Sequence, residues 1–114
     1  MSMITNKQAR YDAEELACEY LIDLGFEIID RNWQNRWAEI DIIAKKSNRL
    51  YFIEVKSRVN TSQGSGLDYL TPKKLKQMAF STQMWINEQN WSGEYQLSAI
   101  SVDGKNITFV EEIY

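Results

Sequence analysis

Apolar residues at Ala13, Leu16, Ala17, Tyr20, Leu21 and Leu24 recur at the three- and four-residue spacing of one helix face. That spacing predicts an amphipathic helix over about residues 6–24. Thr5 with Gln8 is placed to form a capping box at its start, and Gly25 to stop it. The pattern then changes to short runs of β-branched and aromatic residues. Segments 26–31, 37–44, 50–57, 95–102 and 106–112 read as strands, and Asp103-Gly104 is a hairpin signal between the last two. Thr71-Pro72 opens a second helix, with Thr71 as N-cap and Pro72 at the first helical position. Its inner face is Leu75, Met78, Ala79, Thr82, Trp85 and Ile86. The polar stretch 58–70, with Gly64-Ser65-Gly66, reads as a mobile loop. The order α-β-β-β-α-β-β predicts a single α/β domain over residues 1–114, with a mixed central sheet flanked by helices.

The two central segments share a charged face. Glu39 and Asp41 project to one side of the first strand, and Glu54 and Lys56 to one side of the second, because side chains alternate along a strand. A two-residue turn at Ser47-Asn48 places Asp41 opposite Glu54 and Glu39 opposite Lys56. An odd-length loop or a bulge gives a different pairing. Facing carboxylates repel unless something compensates, and the natural compensator is a divalent cation. Tyr51, Ile53 and Val55 form the opposite, buried face of the same hairpin.

Composition narrows the chemistry. The chain has no histidine, which excludes Ser-His-Asp and Cys-His catalysis and the usual histidine-based zinc sites. Hard oxygen donors suit magnesium or manganese. A single cysteine, Cys18, excludes an internal disulfide and fits a reducing cytoplasm, where the lone thiol reads as packing or surface. No apolar run approaches the ~20 residues of a membrane span, and no signal-peptide pattern opens the chain. The 13 basic and 16 acidic residues leave a net charge of −3, which does not favour a general nucleic-acid binder. Setting Glu14, Asp41 and Glu54 aside as metal ligands leaves the two signs equal, so a phosphodiester substrate is not excluded.

Two carboxylates and a lysine on adjacent strands suit phosphodiester hydrolysis. The acids hold the cation, and Lys56 positions the attacking water or offsets developing charge. The Asp-x12-Glu-x-Lys spacing is by itself common in strands with charged faces. The first helix adds Glu14: at about 100° per residue it lies at the edge of the apolar stripe, able to reach past the core, whereas Glu15 lies opposite the stripe and should be solvated. Lys73, Lys74 and Lys76 crowd the first turns of the second helix, where cations oppose the helix dipole. Either solubility or phosphate contact accounts for them. Arg58 and the 58–70 loop would complete such a clamp. Among four tryptophans, Trp85 fits the helix core, while Trp33, Trp37 and Trp91 flank turns, suited to edge packing, to stacking on unpaired bases or to a dimer contact.

Five ordered motifs carry a family resemblance: Ala13-Glu14-Glu15-Leu16-Ala17, Tyr20-Leu21 with Gly25-Phe26, Arg31-Asn32-Trp33, Ala38-Glu39-Ile40-Asp41-Ile42-Ile43, and Phe52-Ile53-Glu54-Val55-Lys56-Ser57-Arg58. Together they resemble the small bacterial YraN family, which is similar to a minimal PD-(D/E)XK nuclease with a restriction-endonuclease-like fold, the fold also found in Holliday-junction resolvases. The resemblance implies that Asp41 and Glu54 bind the metal with the Val55 carbonyl, and that Lys56 is the lysine of the Glu-x-Lys motif. It implies that Glu14 completes the site and that Lys74 is the lysine opening the second helix; it leaves the role of Glu39 open. Ala13 and Ala38 stand where the family has glycine, and alanine does not adopt positive φ cheaply.

The leading expectation is therefore a magnesium- or manganese-dependent endonuclease acting on DNA, including branched or processed DNA, in the cytoplasm and without a membrane partner. A two-fold substrate would favour a homodimer. The alternative is a non-catalytic nucleic-acid-binding or accessory module with the same fold. A third reading is a protein-interaction domain that dimerises through exposed tryptophans.

Overall fold

The computed structural model describes residues 6–58 and 68–114. The capping residue Thr5 and most of the expected 58–70 loop lie outside the described residues. Helix α1, Asn6–Asp23, is stopped by the glycine two residues beyond its last turn. Gly25 takes φ 94° and donates its N–H to the Ile22 carbonyl at 2.9 Å. The Phe26 N–H returns to Leu21 at 2.9 Å, closing a Schellman cap that turns the chain into the first strand. Strands β1 (Glu27–Gln34), β2 (Glu39–Lys46) and β3 (Arg49–Arg58) follow, then helix α2 (Pro72–Gln89) and strands β4 (Glu94–Asp103) and β5 (Asn106–Val110). The expected element order holds throughout. At the start of α2 the Thr71 hydroxyl accepts the Lys74 N–H at 3.1 Å, with Pro72 in the first turn, as the sequence predicts.

The strands form one sheet in the order β1-β2-β3-β4-β5. Every neighbouring pair is antiparallel except β3 and β4, which run parallel because α2 carries the chain back between them. Each helix covers one face. Ala17, Cys18 and Leu21 of α1 pack on Ile42, Tyr51, Ile53 and Ile100. Met78, Trp85 and Ile86 of α2 pack on Ile43, Leu50, Phe52 and Leu97, with Trp85 edge-on to Phe52 at 5.5 Å between ring centroids. Strand β3 is thus buried on both sides, and its near-continuous apolar run follows from that. Cys18 is a packing residue, and burial pushes its thiol pKa up. No helix among the described residues is long and apolar enough to cross a membrane.

The hairpin register is as expected for five pairs and then stops. Ser47 and Asn48 both take left-handed φ, 51° and 63°, the signature of a type I′ turn. Lys46 therefore faces Arg49, and pairing continues to Ile42 opposite Ile53. The expected pairs beyond that point, Asp41 opposite Glu54 and Glu39 opposite Lys56, are not formed. Ile40 and Ile43 join the α2 core while Ile42 and Ala44 join the α1 core, so the in–out alternation slips by one residue at Asp41. A slip of this kind ends a ladder and re-aims one side chain. Here the re-aimed residue is Asp41.

Candidate functional site

At the point where the β2–β3 ladder ends, the Asp41 carboxylate does what a strand neighbour would otherwise do: its Oδ2 accepts the Val55 N–H at 2.8 Å. Asp41 is thereby fixed one residue from Glu54. Its carboxyl pKa is pushed up to about 7, first by burial and then by the charge of Glu54, with smaller contributions from Glu14 and Glu39; only the Val55 hydrogen bond opposes them. Glu14 comes from the α1 side and is itself 7% exposed. The helix-wheel reading that singled out Glu14 over its neighbour is correct in that respect. Glu15 is not simply solvated, however, because β1 brings Arg31 to it and the two form an ion pair.

The basic residues divide differently from expectation. Lys74 of α2, not Lys56, reaches Glu54, with Nζ 2.9 Å from Oε2. Lys56 is exposed and places its ammonium 5.8 Å from the centre of the Tyr69 ring. Lys73, Lys74 and Lys76 line a groove of about 740 Å³ that also reaches Glu39 and Glu54. Arg58 ends β3 opposite Asp103 of β4, outside that groove, and acts electrostatically on Tyr69. The two alanines that replace family glycines need no special backbone. Ala13 is helical, and neither Ala13 nor Ala38 takes positive φ.

Tyr69 is the residue that sequence reasoning missed. It follows a Gly-Ser-rich stretch and belongs to no periodic pattern, so nothing in the sequence marks it. Its ring lies under Lys56, and its hydroxyl is buried without a hydrogen-bond partner among the described residues. Burial, Glu54 and Asp41 all push the phenol pKa up, so it stays a neutral O–H donor beside two carboxylates. An unmade hydrogen bond of this kind costs about 1–3 kcal/mol. Tyr69→Phe is therefore expected to leave urea stability equal or raised by about 1 kcal/mol, while lowering phosphodiester cleavage about tenfold if the hydroxyl serves the substrate. A loss of stability would show that the hydroxyl is a structural donor instead.

Among the described residues no three acidic or thiol side chains converge closely enough to form a ready-made metal shell. The donor chemistry nevertheless fits a hard cation: only carboxylate and carbonyl oxygens are on offer, burial and Glu54 disfavour the ionised Asp41 carboxyl, and Glu54 already attracts an ammonium.

These elements match a known family. The uncharacterised protein family UPF0102, the YraN family, matches residues 13–104. The chain is 38% identical over 101 residues to a UPF0102 protein of Helicobacter pylori strain HPAG1, covering 89% of this chain and 86% of the relative. It is 37% identical over 101 residues to one of Wolinella succinogenes, covering 89% and 91%, and 37% identical over 94 residues to one of Herpetosiphon aurantiacus, covering 78% and 76%. The chain belongs to the UPF0102 family.

Proposed function

We propose that this protein is a divalent-metal-dependent nuclease that hydrolyses DNA phosphodiesters, built on a restriction-endonuclease-like core. The observation that carries the reading is the meeting of Asp41 and Glu54 where the hairpin ladder ends, with Glu14 arriving from the opposite layer. Burying like charges together raises their energy, and a fold keeps such an arrangement where a cation offsets it. Asp41, Glu54, the Val55 carbonyl and Glu14 are the residues that would hold a magnesium or manganese ion. Bound there, the ion would supply Lewis-acid activation of water and phosphate.

The remaining residues serve the substrate. Lys74 neutralises Glu54 in the resting site, and displacing its ammonium would free it for a phosphate oxygen. Lys56, whose ammonium lies over the Tyr69 ring, and the Tyr69 hydroxyl, which Asp41 and Glu54 influence, would orient water or offset charge on the departing oxygen. Lys73 and Lys76 extend the cationic wall along α2, where phosphate contacts position a backbone without reading its sequence.

The Lys74–Glu54 pair also favours a second reading, a nucleic-acid-binding module that performs no chemistry, because a lysine can stand permanently where a metal would neutralise the acid. Cleavage of single-stranded, duplex and four-way-junction DNA with magnesium or manganese, compared with EDTA, separates the two. Metal-dependent cutting is the expected result. Salt-sensitive binding without cutting of any substrate would establish the binding module.

A further inference from the structure

The groove beside Glu54 has two walls of different chemistry. One is the turn between β1 and β2, which presents Arg36 and Trp37; the other is α2, which presents Lys73, Lys74, Lys76 and Phe80. Trp37 is 67% exposed and Phe80 53% exposed, so two large aromatic side chains from separate elements face solvent over one groove. Trp37 is held there by local structure. The Asn35 side-chain oxygen accepts the N–H groups of Trp37 and Ala38 at 2.9 and 2.8 Å, and the Asn35 N–H donates to the Ala38 carbonyl at 2.9 Å. This closed Asx turn fixes the backbone under the indole. The Arg36 guanidinium lies 5.6 Å from the centre of the indole ring and braces it further.

We propose that this groove binds an unpaired nucleotide of single-stranded DNA, with its base stacked on Trp37 and Phe80 and its phosphates along Lys73, Lys74 and Lys76. The inference rests on the nucleic-acid reading of the neighbouring acidic site and names its substrate class. Charge complementarity favours a polyanion, since three lysines and an arginine line the groove against two carboxylates, Glu39 and Glu54. Aromatic exposure selects a single strand, because a duplex hides base faces in its own stack whereas an unpaired base offers them. The groove volume of about 740 Å³ lies within the usual range for a bound organic group.

The test is fluorescence anisotropy in EDTA, so that no cleavage occurs, with a labelled single-stranded oligonucleotide and a blunt duplex of the same length. Wild type is expected to bind the single strand about tenfold tighter than the duplex, Trp37→Ala to lose about tenfold on the single strand alone, and Trp37→Phe to recover most of it. Phe80→Ala is expected to act in the same direction. Duplex binding as tight as single-strand binding, or Trp37→Ala binding like wild type with an unchanged circular dichroism spectrum, would overturn the proposal. If the protein binds single strands through Trp37 but cuts nothing with metal, the nuclease reading fails and this one stands. If it cuts DNA yet Trp37→Ala binds normally, the reverse holds.

Discussion

Glu54→Gln and Asp41→Asn are each expected to lower metal-dependent DNA cleavage by on the order of a thousandfold, the scale for losing a group that stabilises transition-state charge. Both are isosteric. An amide at position 41 keeps an oxygen placed to accept the Val55 N–H, and an amide at position 54 keeps a polar head near Lys74, so the geometry built on these contacts survives. What each variant removes is a negative charge, and at position 41 that charge is a strain on the resting fold, because burial and the nearby Glu54 both disfavour the ionised Asp41 carboxyl. Asp41→Asn should therefore gain thermal stability near neutral pH while losing cleavage. A merely structural aspartate would show the opposite sign. Lys56→Ala is expected to lose about a hundredfold with stability unchanged, since Lys56 is exposed and its described contact is to the Tyr69 ring. Cleavage that persists undiminished in both acid variants, purified as wild type is, would sink the nuclease assignment.

The division between what was legible in the sequence and what was not follows the range of the forces involved. Local rules held. The 3.6-residue stripes of α1 and α2, the Thr71-Pro72 start and the Gly25 stop depend on neighbours a few residues away, and all are present. The Ser47-Asn48 turn fixed the first five pairs of the hairpin by the same logic, although the ladder stops before Asp41 could face Glu54 and the two instead act on each other across its end. The failures are non-local. The slip of alternation at Asp41 is set by which core Ile40 and Ile42 enter, and that depends on both helices packing on the sheet. Which cation reaches Glu54 depends on how α2 lies across β3, so the Lys74–Glu54 ion pair could not be read from spacing along the chain. Glu15 read as solvated because the wheel of α1 knows nothing of Arg31 on β1. Of the three turn-flanking tryptophans, Trp33 and Trp91 pack against the α2 core, and only Trp37 is left open; no helix or strand period distinguishes them.

Stability should fall as pH rises through the range in which Asp41 titrates, the reverse of the usual carboxylate. With the folded-state pKa near 7 against an ordinary value of 3.8, the native protein holds a proton that the unfolded chain has already released. The native state binds more protons over that window, so the slope of unfolding free energy against pH is negative. The contribution is fully present below about pH 4 and lost by about pH 8, an effect on the order of 4 kcal/mol. Urea unfolding in EDTA across that window measures it, and Asp41→Asn should flatten the slope. A divalent cation supplies the sign-dependent control. Ligands must be deprotonated to bind metal, so magnesium or manganese should raise the unfolding midpoint at about pH 8 and much less at about pH 5, where protons occupy the site. A midpoint that rises with pH in wild type would mean that Asp41 is satisfied as an anion by the fold alone, leaving no electrostatic strain for a cation to relieve. A negative slope in EDTA, abolished by Asp41→Asn and opposed by metal only at the alkaline end, ties the buried carboxylate to a cation in one titration.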